Sequence, residues 1–319
     1  MVPPAAQLLP PSSARNPQPV AVTCRNCPRQ CSTLPGFCQA DHALPEAAAV
    51  YAHTGEEPPI SGQRGISNIF FAHCNLRCCY CQNHTISHIA LPDAITLRGL
   101  DAIADATARS LEQTEPMVGL VTASHYSDLV APLIERLHAR GLRPTIVWNS
   151  SGYDSVEVLR RLAPYIDVYL PDYKYSDATL AARYSHAADY PDVAAAALRE
   201  MHSQMGSSLP TDDNGLAFRG MIVRHLVLPG QVENSIGCLR WLADNLGTGI
   251  HLSLMAQYYP PQGLTLPDQL GRRLQADEYE AVCNEAQRLG FYRGWIQPLD
   301  AALNYQPHFG PTTHFDAPA

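Results

Sequence analysis

Cysteine placement constrains this chain more than any other feature. Eight of its ten cysteines lie before residue 82, at Cys24, Cys27, Cys31 and Cys38 and again at Cys74, Cys78, Cys79 and Cys81, while Cys238 and Cys283 stand apart. A secreted disulfide framework spreads its pairs over a short chain. Spacings of two and three residues, crowded into one end of a long chain, are metal-ligand spacings instead. They predict thiols kept reduced, and with them a cytoplasmic protein.

Cys74-x3-Cys78-x2-Cys81 puts three thiolates on one tight loop. Such a loop suits three corners of a [4Fe-4S] cubane and leaves the fourth iron without a protein ligand. Like a catalytic zinc with an open position, that iron can take a substrate or cofactor. Zinc binding and a cysteine-rich loop without metal are the alternatives that the spacing leaves open. Cys79 is redundant as a ligand and reads as packing, as do Cys238 and Cys283 in their helical patterns.

The first group, Cys24-x2-Cys27-x3-Cys31-x6-Cys38, is a complete four-thiolate set within fifteen residues. It can close around zinc or hold a second [4Fe-4S] cluster, with no vacant position either way, which predicts a structural role. It carries one C-x2-C knuckle where zinc ribbons usually carry two. That tilts the balance towards iron, and the metal stays open.

Composition removes several classes. With 22 Lys and Arg against 30 Asp and Glu, the net charge is -8, which argues against nucleic-acid or anionic-membrane binding. No apolar run approaches the roughly 18 residues of a membrane helix. Residues 1–20 are rich in proline and read as a flexible tail, not a signal peptide. Residues 21–60 form a Cys- and Pro-rich metal-binding segment with little helical or strand periodicity. Residues 61–319, in a chain that is 46% hydrophobic, can bury a large core.

From Ile66 onward short β-branched runs alternate with helical patterns. Strands are predicted at 66–71, 118–121, 145–148, 168–170, 221–228, 250–254 and near Trp295. Helices are predicted over 99–113, 128–141, 192–205, 234–246 and 276–289, with a capping-box-like start at Asp154 and Glu157 for one ending near Leu162. Alternation of this kind implies parallel βαβ units, so the fold class is α/β. The architecture is a partial (β/α)6-type barrel, with a doubly wound sheet as the alternative. In either, sites gather where strands end. Each predicted strand here ends in polar residues, among them Thr122 to His125, Asn149 to Gly152, Asp172 to Lys174, and Arg224 with His225.

At these residues the chain resembles the radical S-adenosylmethionine (SAM) superfamily, whose signature is C-x3-C-x2-C with an aromatic residue before the last cysteine, the place Tyr80 fills. More narrowly, it is similar to pyruvate formate-lyase-activating-enzyme homologues. That likeness rests on Glu57 to Gly62, Ile69 to Phe71, Cys81-Gln82-Asn83, Asn149 to Tyr153, Tyr169 to Lys174 and Arg224 to Gly230, and spans about residues 21 to 300. The resemblance implies a partial barrel in which SAM chelates the unique iron. An electron then cleaves SAM to methionine and a 5'-deoxyadenosyl radical, which abstracts hydrogen from a protein or small molecule. Glycyl-radical activation is one form of this oxidoreductase chemistry.

The resemblance also implies roles for residues. Tyr80 would lie beside the adenine. Thr122-Ala123-Ser124-His125 stands where the family has Gly-Gly-Glu, so that Thr122 or Ser124 must accept the methionine amino group. Asn149 and Ser151 fall where ribose contacts are expected, and Asp172 and Lys174 match an Asp-x-Lys pair near cofactor and bound peptide. Arg224 and His225 are either ligand contacts or a paired structural unit. An electron donor of the flavodoxin or ferredoxin type is expected. The competing readings are an iron-sulfur electron-transfer protein without SAM chemistry and a zinc-stabilised binding module.

Overall fold

The computed structural model describes residues 23–88 and 97–303. The tail read at residues 1–20 lies outside the described residues. The strands are β1 (Glu46–His53), β2 (Ile66–Phe71), β3 (Leu97–Arg98), β4 (Met117–Val121), β5 (Thr145–Ser150), β6 (Val168–Pro171), β7 (Gly220–Leu226), β8 (His251–Met255) and β9 (Gly294–Ile296). They form one sheet in the order β3-β1-β2-β4-β5-β6-β7-β8-β9. From β2 to β9 every pairing is parallel, whereas β1 runs antiparallel to both β2 and β3. The sheet is not closed, since β3 and β9 stand at opposite edges.

The connecting helices are α1 (Pro58–Ser61), α2 (His84–Ser87), α3 (Leu100–Leu111), α4 (Val130–Ala139), α5 (Val156–Leu162), α6 (Ala178–Ser185), α7 (Tyr190–Met205), α8 (Val232–Leu246) and α9 (Ala276–Leu289). Side chains alternate across each strand. One set, including Ile69, Leu120, Trp148, Tyr169, Val223 and Leu254, packs with helix residues such as Leu133, Leu159, Leu198 and Leu239 in the main core. The other set faces inward and forms layers. At the bottom Ile66, Met117, Val147, Val168 and Ile222 surround Ile60 of α1, which is fully buried. Burying one such side chain contributes about 2 kcal/mol. Above it lie Asn68, Gly119, Asn149 and Arg224, and above those the strand ends.

Gly119 has a steric reason. A Cβ there would sit 1.9 Å from Asn68 Oδ1, so the neighbouring strand must have glycine for the Asn68 amide to fit inside the sheet. Among the described residues no helix is long and apolar enough to cross a membrane.

Three expectations need correction. The stretch read as lacking strand periodicity contains β1, which extends the sheet. Its sequence, EAAAVYAH, is half alanine where strand formers are looked for, and the pairing with β2 supplies what propensity does not. Helix α6 falls in a stretch where no helix was predicted; it is capped by Asp177, whose carboxylate accepts from the Thr179 and Leu180 N–H groups. Asp154 and Glu157 form no capping box. Ser155 is the N-cap of α5, and Asp154 is buried, accepting from Ser124 Oγ, Ser150 Oγ and the Trp148 indole.

Candidate active site

The three-cysteine loop leaves the end of β2. His73 and Arg77 adopt left-handed backbone angles, φ 70° and 57°, which turn the loop back over the sheet. It is pinned from several directions. His125 Nε2 pairs with the Ala72 carbonyl at 2.8 Å, the Cys79 N–H donates to the Tyr184 carbonyl, and the Asn75 amide donates to the Tyr153 carbonyl. Burial lowers the pKa of His125 to about 3, so the ring is a neutral structural group.

Donors point at the sulfurs. Ser185 Oγ donates to Cys78 Sγ at 2.9 Å, Ser87 Oγ to Cys81 Sγ at 3.4 Å, and the Leu76 N–H to Cys74 Sγ at 3.4 Å. Such bonds favour sulfur as an acceptor, the role it takes as a thiolate. Cys74 and Cys78 are each 8% exposed. Burial pushes the Cys78 thiol up to about 12 and the Cys81 thiol up to about 11, with Lys174 working the other way on both. Charged thiolates here therefore need compensating positive charge, which a metal centre brings. Three thiols on one loop, each sulfur met by a donor, fit an iron-sulfur group, which Cys74, Cys78 and Cys81 would hold.

A cavity of about 400 Å³ opens directly beneath this loop. It is touched by Cys74, Cys78 and Cys81 from the loop and by Phe70, Val121, Asn149, Asp172, Leu226, Met255 and Ile296 from or just after seven parallel strands. One cavity reached from seven strands means that the sheet curves around it, as an incomplete barrel does.

Most of the side chains singled out from the sequence line this cavity: Tyr80, Thr122, Asn149, Ser151, Asp172, Lys174 and Arg224. Lys174 Nζ is hydrogen-bonded to Asp172 Oδ2. Burial disfavours its charge, but Asp172 and the Cys78 sulfur outweigh this, and its pKa is raised. Thr122 holds φ 58°, a costly angle for a β-branched residue, which presents this residue to the cavity while its N–H donates to the Asn149 carbonyl. Ser151 Oγ is buried and has no hydrogen-bond partner among the described residues. Tyr80 is caged: its hydroxyl accepts from Tyr175 at 2.7 Å, and the Tyr184 and Tyr258 rings meet it edge-on.

Two expected contacts are placed differently. Ser124 is 2% exposed, does not border the cavity, and gives its hydroxyl to Asp154 at 2.6 Å. It is structural, which leaves Thr122 alone in that segment. His225 points to the helix side, between the Tyr173 carbonyl at 2.6 Å and Ser235 Oγ at 2.9 Å. Arg224 borders the cavity, yet its guanidinium is engaged. Nε donates to Glu57 Oε1 at 2.9 Å, and Nη2 pairs with Glu57 Oε2 at 2.6 Å and with Glu56 Oε2.

Sequence reasoning missed Glu56. Its carboxylate also accepts from Asn68 and Asn149 at 2.8 and 3.3 Å. Burial raises its pKa, but the Arg224 and His53 charges and the hydrogen bonds win and hold it at about 2. No periodicity marks a carboxylate delivered by an irregular segment. Gln297 was also missed; with Gln257, which the sequence places at the end of β8, it joins Gln82 of the loop to the far strands through Gln82 Nε2 to Gln257 O and Gln297 Nε2 to Gln257 Oε1.

Around the first cysteine group, the Arg29 guanidinium donates to the Asn75 carbonyl at 2.5 Å and to the His186 carbonyl at 2.8 Å, tying that segment to the cluster loop.

No family model matches the sequence. Over 277 residues the chain is 25% identical to an uncharacterized protein, MJ0674, of Methanocaldococcus jannaschii, the aligned part covering 83% of this chain and 74% of that one. Among solved structures it is similar to mutants of spore photoproduct lyase, one of them with dinucleoside spore photoproduct. Identity is 13% and TM-scores are 0.42 and 0.41, over 71% of this chain and 74% of theirs. A likeness of that size assigns neither family nor chemistry.

Proposed function

We propose that this chain is a radical SAM enzyme, with a [4Fe-4S] cluster on Cys74, Cys78 and Cys81 and SAM in the cavity beneath them. The observation that carries the reading is the meeting of those three thiols with Thr122, Asn149, Ser151, Asp172 and Lys174 on one cavity. A cluster held by Cys74, Cys78 and Cys81 would supply the electron for reductive cleavage of SAM and, through it, radical hydrogen abstraction from a substrate.

The chain's own residues bind, orient and exclude. Lys174, charged and half-buried, holds a carboxylate as a point charge; Asp172 orients an amine. Thr122 and the Ser151 hydroxyl offer short polar contacts to the nucleoside and the methionyl group. Phe70, Leu76, Val121, Leu226 and Met255 supply apolar wall, keeping water from a reactive radical. Arg224 is a positioning residue in this reading. It strengthens the floor of the cavity by holding Glu56 and Glu57. The substrate is a protein or small molecule, and glycyl-radical formation in a partner protein is the narrower form of the proposal. A flavodoxin- or ferredoxin-type protein supplies the electron.

The test is anaerobic reconstitution with iron and sulfide, followed by dithionite and SAM. The proposal expects 5'-deoxyadenosine from the wild type and none from Cys78→Ala. A cluster that turns over no SAM supports an iron-sulfur electron carrier instead.

A further inference from the structure

Three buried hydroxyls stand in a row behind Cys78. Ser185 Oγ lies 2.9 Å from Cys78 Sγ, Tyr175 Oη 2.7 Å from Ser185 Oγ, and Tyr80 Oη 2.7 Å from Tyr175 Oη. Ser185 and Tyr175 are fully buried, and Tyr80 borders the cavity. The row therefore runs from the cavity wall to a sulfur of the three-cysteine loop.

Three separate elements build it. Tyr80 and Cys78 belong to the loop, Tyr175 follows β6, and Ser185 is the last residue of α6. The Cys79 N–H, donating to the Tyr184 carbonyl at 2.8 Å, holds the end of α6 against the loop. The Tyr190 ring meets Tyr175 edge-on with centroids 5.2 Å apart, and the Tyr184 ring meets Tyr80 edge-on. Both phenols are thus held by packing, and their hydroxyls need little ordering to bond in series. Of the donors at the three sulfurs, Ser185 stands nearest, since the Ser87 hydroxyl and the Leu76 N–H are each at 3.4 Å.

Each hydroxyl carries one proton, so three protons serve three links. With Ser185 donating to Cys78, the Tyr175 proton goes either to Tyr80 or to Ser185. Sent to Tyr80, it leaves the 2.7 Å contact between Tyr175 and Ser185 without a proton, lone pair against lone pair. A sulfur bound to iron only accepts. With a cluster on Cys78, one order alone fills every link: Tyr80 to Tyr175, Tyr175 to Ser185 and Ser185 to Cys78, which reverses the bond between the two phenols.

We infer, on the cluster of the proposed function and independently of SAM, that this row sets the reduction potential of the centre on Cys78. Ser185 is the direct donor to the ligand sulfur, and Tyr175 and Tyr80 are positioning residues that act through it. Donors in series polarise one another, which strengthens the last bond of the row. The electron taken up on reduction makes the ligand sulfurs more negative. A hydrogen bond to Cys78 Sγ therefore favours the reduced cluster and raises its potential.

The test is an anaerobic redox titration of reconstituted full-length protein without SAM, with the reduced cluster followed by EPR. Ser185→Ala should lower the reduced-to-oxidised ratio at a fixed potential about tenfold, a fall in midpoint of about 59 mV for a one-electron couple. Tyr175→Phe keeps the buried ring and should shift the midpoint the same way by less; it decides alone if Ser185→Ala assembles no cluster. The double variant should match Ser185→Ala, because the phenol acts only through the serine. A Tyr175→Phe midpoint equal to that of the wild type, or a shift that adds in full to that of Ser185→Ala, would overturn the inference and leave the cluster standing. A wild-type chain that assembles no [4Fe-4S] cluster would overturn the proposed function, and this inference with it.

Discussion

Arg224 and Glu57, 167 residues apart in sequence, meet through two hydrogen bonds of 2.9 and 2.6 Å across the inside of the sheet. Glu56 takes a second place on the same guanidinium, and both carboxylates are about as buried as Arg224 itself. The pairing ties the segment entering β2 to β7 on the opposite wall. It fixes the floor of the cavity from both sides of an open sheet.

Removing one partner leaves buried charge unpaired. Arg224→Met is expected to lower unfolding stability by about 3–5 kcal/mol. Converting Glu56 and Glu57 to Gln in the same chain should recover part of that loss. Urea denaturation measures both, and a loss under about 1 kcal/mol for the single variant would show that the ion pair does not brace the floor.

The same group sets a pH dependence. Glu56 titrates at about 2 in the fold, below the 4.5 of a free glutamate, so its contribution is complete above pH 4.5 and is lost as pH falls from there towards 2. Glu56→Gln should therefore narrow its stability gap from wild type as pH drops through that window. Urea midpoints at pH 6, 4 and 3 test this, and a gap that stays constant contradicts it.

Gly119 offers a local steric test. Gly119→Ala puts a Cβ 1.9 Å from Asn68 Oδ1 and is expected to cost about 1–3 kcal/mol. Combining it with Asn68→Ala should cost less than the sum of the two single changes, because the clash partner is gone. Additive losses in urea denaturation would mean that the amide does not occupy that space.

Much of this was readable from residues alone. The parallel strands announced themselves through Val, Ile and Leu runs buried on both faces, and their polar ends through side chains that have no reason to follow such runs. Cys74, Cys78, Cys81, Thr122, Asn149, Ser151, Asp172 and Lys174 were legible because strand ends collect sites, and the cavity does bring them together. What could not be read depends on contacts distant in sequence. Ser124 looked available until Asp154 was seen to take its hydroxyl, and Glu56 is carried into the interior by a non-periodic stretch. β1 is held by its pairing with β2, not by its alanine-rich sequence.

Lys174 and Ser124 separate binding from scaffolding. Under the proposed function, Lys174→Met removes a charge-assisted bond worth about 1.5–3 kcal/mol, a loss of about 10- to 100-fold in SAM affinity. Ser124→Ala should cost about 1 kcal/mol of stability through Asp154 and leave SAM affinity within twofold. Equilibrium binding by anaerobic calorimetry decides, and the reverse ranking would return Ser124 to the cavity wall.

The central claim concerns one iron. Mössbauer spectra of the protein enriched in 57Fe, recorded before and after adding SAM, test it most directly. The account predicts a [4Fe-4S] cluster with one site that shifts to a higher coordination number when SAM is added, and no such cluster in Cys78→Ala. Four equivalent iron sites that ignore SAM, or zinc bound at Cys74, Cys78 and Cys81, would contradict it.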